Sequence, residues 1–399
     1  MYLVVLLSLV LFIIGVYEKR NHQKNIEAVP IRINVNGIRG KSTVTRLITW
    51  ALMEDGYHTV GKTTGTSARM IYWNRDQEEP IKRRPEGPNI REQKKVVKLA
   101  ADAGANALVS ECMAVNPDYQ KTFQNKMLQA NIGVIVNVLE DHMDVMGPTL
   151  SEVAEAFTNT IPYDGFLIID RSPYESYFKE IAKKRRTKVI VANPEKVSED
   201  YLLQFEYMVF PDNVALVLAV AEALQIDEEV ALRGMLNANP DPGAMKILPI
   251  GNKYQPSYFV NGFAANDSAS TLNIYKRVDM LGHYPSDHLV VIMNCREDRV
   301  DRTEQFATDV LPHLEMESLI LIGKTVGPIM ESYNQGHIKT KEIVDLEETS
   351  VEEITRVLQK YLSGYCIYGV GNIHGAGEPL ITRLEEFKVF PEKEMSYTV

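Results

Sequence analysis

Cysteine is scarce in this chain: Cys112, Cys295 and Cys366 are the only three in 399 residues. Odd in number, far apart and set in apolar runs, they exclude a disulfide framework and suit buried thiols in a reducing compartment. No spacing of cysteine and histidine matches a zinc site. Basic charge is also short. Lys and Arg total 43 against 53 Asp and Glu, a formal net charge of -10, so no cationic excess exists to neutralise a nucleic-acid backbone and nucleic acid is excluded as a partner. Charge of either sign is missing from Met1 to Tyr17. As a helix that run rises about 25 Å, slightly short of a hydrocarbon core of about 30 Å. No Lys or Arg precedes it and no small-x-small cleavage site follows, which favours an uncleaved anchor over a secretory signal peptide. Apolar residues all round argue against a buried soluble helix. The positive charges of Glu18-Lys19-Arg20-Asn21-His22-Gln23-Lys24 then place the N-terminus outside and the remainder in the cytoplasm.

What the chain does have is a 45% hydrophobic share, enough for the cores of two ordinary domains, and a phosphate loop. Ile31, Ile33 and Val35 alternate with polar residues as a strand should, and Val44, Leu47, Ile48, Ala51 and Leu52 recur at helical spacing up to a stop at Gly56. Between them stands Val35-Asn36-Gly37-Ile38-Arg39-Gly40-Lys41-Ser42-Thr43. Strand, glycine turn and helix are the context a phosphate loop requires. The backbone N–H groups from Gly37, Ile38, Arg39 and Gly40 to Thr43, with the positive end of the helix, can cradle phosphates; Lys41 can reach the terminal ones and Ser42 can hold Mg2+. The usual pattern has a glycine where this chain has Val35, leaving the shorter G-x-x-G-K-[ST].

Strand and helix alternate from Pro30 to about Ala238, the signature of a doubly wound, mostly parallel sheet. Its strands are expected at Ile31–Val35, Ala107–Val109, Ile132–Val138, Phe166–Ile169 and Lys188–Val191, with helices from Lys41, near Glu92–Ala103 and at Ser151–Asn159. The polar, proline-rich stretch from Tyr72 to Pro88 reads as a long excursion. Asn239-Pro240-Asp241-Pro242-Gly243 marks a boundary. Beyond it a smaller α/β unit has expected strands at Tyr258–Val260, Leu289–Met293, Leu319–Ile322 and Cys366–Val370, with helices from Ala269, Glu304, Val326 and Val351. The domains expected are an anchor and linker over 1–24, an ATP-binding domain over 25–240 and a C-terminal domain over 241–399.

Ser110-Glu111-Cys112 and Asn137-Val138-Leu139-Glu140-Asp141-His142-Met143-Asp144 each follow a strand, and the carboxyl edge of an open parallel sheet is where ligands bind. Lys62-Thr63-Thr64-Gly65-Thr66-Ser67 follows the second strand and reads equally as a substrate or phosphate contact through Thr63, Thr64 and Thr66, or as a capped turn. Arg296, Asp298, Arg299, Asp301 and Arg302 follow another strand; most form a solvated charge run, while Arg296 or Arg299 could meet an acidic substrate. Gly369-x-Gly371-Asn372-Ile373-His374-Gly375-Ala376-Gly377 reads evenly as an anion-binding or a structural turn.

Gly37-x-x-Gly40-Lys41-Ser42-Thr43, a glutamate ending the next inner strand, and Asn137-x-x-Glu140-Asp141-His142-Met143-Asp144 together resemble the ATP-dependent Mur ligase superfamily. Pro211-Asp212-Asn213-Val214-Ala215 resembles the later Asn motif of its central domain, which implies Asn213 near the nucleotide. The resemblance covers roughly residues 30 to 380. It implies that ATP converts a carboxylate to an acyl phosphate, that an amine displaces phosphate, that Lys41, Glu111 and His142 are catalytic, and that Ser42, Glu111 and His142 place one or two Mg2+ ions. Histidine is an unusual ligand for so hard a cation, so its assignment rests on the resemblance alone.

This sequence departs from the pattern at four places. No lysine lies between His142 and Asp170 where many members carry a carbamate-bearing one, the counterpart being near Phe157; Ala244 of Pro242-Gly243-Ala244-Met245 stands in place of an arginine; and Asn261 stands in place of an aspartate. Peptidoglycan-building members have a UDP-sugar domain before the loop, and here an anchor and a short linker are expected instead. That arrangement resembles the ligase subunits of bacterial poly-γ-glutamate synthases, the PgsB/CapB group. The expected activity is a membrane-anchored, Mg-ATP-dependent amide ligase that polymerises glutamate onto a growing γ-glutamyl chain, with integral membrane subunits of a synthase complex as partners and self-association left open. Two rivals remain: an anchored ATPase that energises export of the polymer, and a folate polyglutamylating ligase.

Overall fold

The computed structural model describes every residue except 1, 66–67, 76, 82–91, 203, 206, 241–246, 264, 266, 281–287 and 390–399. Two compact units divide the chain: Met1–Phe205 with Val209–Pro242, and Glu206–Met208 with Gly243–Val399.

The first unit opens with α1 (Tyr2–Glu27), a single helix of 26 residues. The expected linker from residue 18 is helical, because Glu, Lys, Arg and Gln favour helix once the apolar run has nucleated it. At 1.5 Å per residue the helix is about 39 Å long, and the large apolar side chains from Tyr2 to Ile14 are exposed while His22 and Ile26 are buried. There follow β1 (Ile31–Asn36), α2 (Lys41–Glu54), β2 (Thr59–Lys62), β3 (Arg69–Tyr72), β4 (Glu79–Pro80), α3 (Glu92–Asp102), β5 (Ala107–Glu111), α4 (Pro117–Thr122), β6 (Ile132–Ile135), α5 (Met143–Met146), α6 (Leu150–Thr158), β7 (Phe166–Ile169), α7 (Glu175–Lys184), β8 (Lys188–Val191), α8 (Glu199–Leu202), α9 (Pro211–Leu224) and α10 (Glu228–Leu236).

These strands form one sheet in the order β4-β3-β2-β5-β1-β6-β7-β8. The six strands from β2 to β8 are parallel, and β3 and β4 join antiparallel at one edge. The excursion expected after Tyr72 thus returns to the sheet as β4. Helices cover both faces. Val60 packs into a core with Ile26 of α1, Val96 and Val97 of α3 and Phe123, while the next residue, Gly61, abuts Thr49 of α2, as strand alternation dictates. The chain runs left from β1 to β2 and, later, right to β6, so β1 ends at the switch point of the sheet, the position where such folds bind ligands.

The second unit contains β9 (Ile247–Ile250), β10 (Ser257–Asn261), α11 (Ser268–Met280), β11 (Leu289–Cys295), α12 (Val300–Asp309), β12 (Ser318–Gly323), α13 (Gly327–Asn334), β13 (Glu342–Glu347), α14 (Val351–Leu358), β14 (Cys366–Gly371) and α15 (Gly377–Glu385). The strand order is β13-β12-β11-β14-β10-β9, with β9 alone antiparallel. Its core joins Phe259, Phe263, Ile292, Ile320, Ile367 and Leu380. All three cysteines are buried free thiols.

Candidate active site

The loop from Gly37 to Gly40 needs its glycines. Gly37 has φ +137 and a Cβ there would lie 3.1 Å from the backbone N of Asn137; Gly40 has φ +79 and its Cβ would lie 3.2 Å from Nδ2 of Asn213. Both backbone conformations are costly for other residues. The close approach brings Asn213, in the first turn of α9, against the loop. Asn137, just past β6, closes the other side: its Oδ1 accepts the amides of Ile38 at 3.1 Å and Arg39 at 3.0 Å, and its Nδ2 donates to the Arg39 carbonyl at 3.0 Å. The first amides of α2, from Lys41 onward, have no acceptor within their own helix and carry its positive end.

Lys41 Nζ donates to the carbonyls of Gly37 at 2.8 Å and Ile38 at 2.9 Å. Burial pushes its pKa below the ordinary lysine value, opposed by the nearby Glu111 charge. Glu111, the last residue of β5, is buried and held from two sides. Ser42 Oγ donates to Oε2 at 2.9 Å, the Thr64 amide donates to the same oxygen at 2.7 Å, and the Thr64 hydroxyl donates to Oε1. A hydroxyl of the phosphate loop, a strand-end carboxylate and the loop after β2 are thereby tied together across three neighbouring strands.

His142 has left-handed backbone geometry, φ 51, at the start of α5, and its amide donates to Asp141 Oδ1 at 2.9 Å. Asp141 also pairs with Arg39 at 3.3 Å. Its imidazole is half exposed and lines the same cleft as Gly37, Ile38, Arg39, Lys41, Thr64 and Glu111, a cavity of about 590 Å³. Cys112 and Phe157 also line it. Burial raises the Cys112 thiol to about 11, so it is protonated near neutral pH. Phe157, at the position where the resemblance led to a lysine, is a buried ring.

The structure brings the loop, Lys41, Ser42, Thr64, Glu111, His142 and Asn213 together around β1. Thr43 lies half-buried in the first turn of α2. Thr63 turns inward: fully buried, it exchanges its amide and hydroxyl with the backbone of Arg69 and closes the β2–β3 turn. Thr66 and Gly243-Ala244-Met245 lie outside the described residues. Arg296 and Arg299 belong to the second unit, Arg296 pairing with Asp298 at 2.7 Å. Two residues just past strands of the first sheet were given no role by the sequence reading. Asn137 was visible only as part of a motif, although a polar residue just past an inner strand signals a contact with the loop. Asp170, just past β7, has its carboxyl raised to about 6 by burial and by Asp212 at the start of α9.

Among the described residues no three His, Cys, Asp or Glu side chains converge as a metal cage. Ser42 and Glu111 do present two oxygen donors in contact, which fits Mg2+, a hard ion that usually takes one or two protein oxygens and fills the rest with water and phosphate.

The chain matches the Mur ligase middle domain over residues 35–239 and the poly-gamma-glutamate synthase CapB C-terminal domain over residues 247–387. It is 62% identical over 389 residues to PGA synthase CapB of Bacillus subtilis (strain 168), covering 98% of this chain and 99% of that protein. It is 62% identical over 379 residues to the capsule biosynthesis protein CapB of Bacillus anthracis, covering 95% and 82%. Among solved structures, E. coli FolC in complex with DHPP and ADP matches with a TM-score of 0.64 at 13% identity, covering 92% of this chain and 91% of that one, a likeness of fold. The chain belongs to the CapB family of poly-γ-glutamate synthases, with a Mur ligase middle domain carrying its phosphate loop.

Proposed function

We propose that this ATP-dependent amide ligase, which polymerises glutamate into poly-γ-glutamate, does so through an acyl phosphate formed at the cleft beside β1. A carboxylate is a poor electrophile because oxide would have to leave. In the proposed route a carboxylate oxygen of the glutamyl substrate attacks the γ-phosphorus of ATP, the bond to the β–γ bridging oxygen breaks and ADP leaves. The amine of the next glutamate then attacks the acyl carbon, inorganic phosphate leaves, and the amine gives up a proton. The first step brings two anions together, so its barrier is chiefly electrostatic.

The observation that carries the reading is the linkage of Ser42 and Thr64 to Glu111, with Lys41 on the lining of the same cleft as Glu111 and Thr64. Lys41 would release the Gly37 and Ile38 carbonyls and bind the transferring phosphoryl group, and the first amides of α2 would hold the phosphates. Ser42 and Glu111, joined by His142, would hold Mg2+, which would neutralise phosphate charge. Asn137 holds the Ile38 and Arg39 amides, so the phosphates would fall to Gly40 and the first amides of α2, and Asn213 would border the nucleotide. Thr64 fixes the Glu111 carboxylate.

The anchor, central and C-terminal domains are assigned to 1–24, 25–240 and 241–399. α1 is long and apolar enough to cross a bilayer. The charges that follow Tyr17 put the catalytic domains on the cytoplasmic side. A polymer made there needs a route outward, so integral membrane subunits of a synthase complex are the proposed partners.

Hydroxylamine trapping tests the route. With Mg-ATP and glutamate or short γ-glutamyl oligomers, the chain is expected to yield a glutamyl hydroxamate in step with ADP. ADP without hydroxamate, at saturating hydroxylamine, would count against a free acyl phosphate.

A further inference from the structure

The direction in which α1 leaves the first unit fixes which face of that unit looks at the membrane. The C-terminal end of α1 sits at the amino edge of the sheet. Arg32, near the start of β1, donates to the carbonyls of Ile26 at 3.3 Å and Val29 at 2.5 Å. His22 bonds the Met127 carbonyl at 2.9 Å and Gln23 bonds Gln129 at 3.0 Å, both in the segment that leads into β6. One turn or so earlier, Glu18 meets Lys94 at 2.8 Å. Lys94 is in the first turn of α3, whose first residue, Glu92, pairs at 3.5 Å with Lys62, the last residue of β2. That is the carboxyl edge. From Ile26 back to Glu18, α1 therefore climbs from the amino edge toward the carboxyl edge, antiparallel to β1, and the uncharged residues Tyr2 to Tyr17 leave on the carboxyl side.

Lengths agree with this geometry. From Ile26 to Glu18 the helix rises about 12 Å, while the six residues of β1 advance about 20 Å. The loops following β1 therefore stand on the membrane side of Glu18, where the charged part of α1 ends. A second observation is independent of α1. Outside that helix, the described residues of the first unit expose four large hydrophobic side chains: Tyr119, Leu139, Val145 and Tyr163. Three of them follow strands at the carboxyl edge, Tyr119 in α4 after β5, Leu139 in the loop after β6 and Val145 in α5; Tyr163 precedes β7 at the amino edge. Tyr119 is 59% exposed, although its neighbour Gln120 is buried and accepts from Asn36 at the end of β1.

We propose that the carboxyl edge of the first sheet, with the mouth of the phosphate-loop cleft, faces the bilayer surface, and that Tyr119, Leu139 and Val145 rest in its headgroup layer. The inference builds on the reading of α1 as a membrane anchor. The partner is a lipid surface, for which an aromatic ring and scattered aliphatic side chains beside a spanning helix are suited. Product released from the cleft then enters the layer between the enzyme and the membrane.

The test uses the full chain in phosphatidylcholine vesicles carrying a fluorescent acceptor on a fraction of the headgroups. A donor dye is attached through Tyr119→Cys at the carboxyl edge or, separately, Arg186→Cys at the amino edge; the native cysteines are buried and an unsubstituted chain measures their background. Energy transfer to the headgroups is expected to be higher from position 119, because the edges stand about 20 Å apart. Equal transfer, or more from position 186, overturns the orientation while vesicle flotation shows the anchor intact. Failure of the full chain to float with the vesicles overturns the anchor reading and the orientation with it.

Discussion

The carboxyl edges of the two sheets are built from the same parts and hold their charges differently. In the first unit, polar side chains at strand ends are turned onto backbone and onto one another: Asn137 grips the loop amides, and Glu111 collects Ser42 and Thr64. In the second unit the same edge also surrounds a cavity, of about 520 Å³. There, however, Arg296 pairs with Asp298 at 2.7 Å, and Lys324 with Glu297 at 3.5 Å and Glu348 at 3.7 Å, with the three acids exposed. Exposed pairs are screened and worth little, whereas polar groups withdrawn from water act strongly on whatever enters. One architecture thus holds a hydrogen-bonded polar cluster withdrawn from water in one unit and a solvated charge run in the other, and fold alone does not say which.

The contrast breaks first at Glu111. Glu111→Ala removes the common acceptor of Ser42 and Thr64 and should lower kcat/KM for glutamate-dependent ADP release by about 10²- to 10³-fold, the cost of losing one preorganised charge contact. Arg296→Ala and Arg299→Ala should each change it by a few-fold at most; a comparable loss at either would move the chemistry to the second edge as well. Next in size, Asn137→Ala frees two loop amides and a carbonyl, and at about 1 kcal/mol per net hydrogen bond the KM for ATP should rise about tenfold or more, measured beside a thermal melt that confirms folding.

A third prediction concerns pH. The Asp170 carboxyl is raised from 3.8 to about 6 by burial and by Asp212. Between those two values the native state binds more protons than the unfolded chain, so this group's contribution to stability falls as pH rises through that window and is wholly unfavourable above it. Asp170→Asn should therefore raise Tm at pH 8 by a few degrees and give a shrinking gain as pH is lowered toward 4. The smallest effect is expected at Cys112. With its thiol raised to about 11, brief iodoacetamide treatment at pH 7.5 should leave activity unchanged although the residue lines the cleft.

Legibility in sequence followed the same division. The strand–loop–helix from Ile31 to Glu54 was readable because the apolar period switches from 2 to 3.6 across two glycines. Glu111 was readable as a polar residue closing an apolar strand, and the Mur-ligase-like architecture from three motifs together. What escaped were edges. β13, Glu342-Ile343-Val344-Asp345-Leu346-Glu347, carries three acids and reads as a charged stretch, yet an edge strand tolerates that composition. β9 holds Pro249, which is admissible at an edge and nowhere central. β3 and β4 are too short to show alternation. The continuation of α1 past Tyr17 was hidden because charge ends a membrane span without ending a helix. Ser42 was grouped with Glu111 only through the family resemblance, and the Thr64 contact escaped for another reason: it meets Glu111 across strands that sequence order does not place side by side.

The most direct test of the central claim is ADP release by the full chain in lipid with Mg2+, measured with and without glutamate or short γ-glutamyl oligomers, beside Lys41→Ala. The account predicts release that depends on the glutamyl acceptor and collapses in the variant, with the fold retained. Release indifferent to glutamate, as an export ATPase would give, or unchanged in Lys41→Ala, would contradict it.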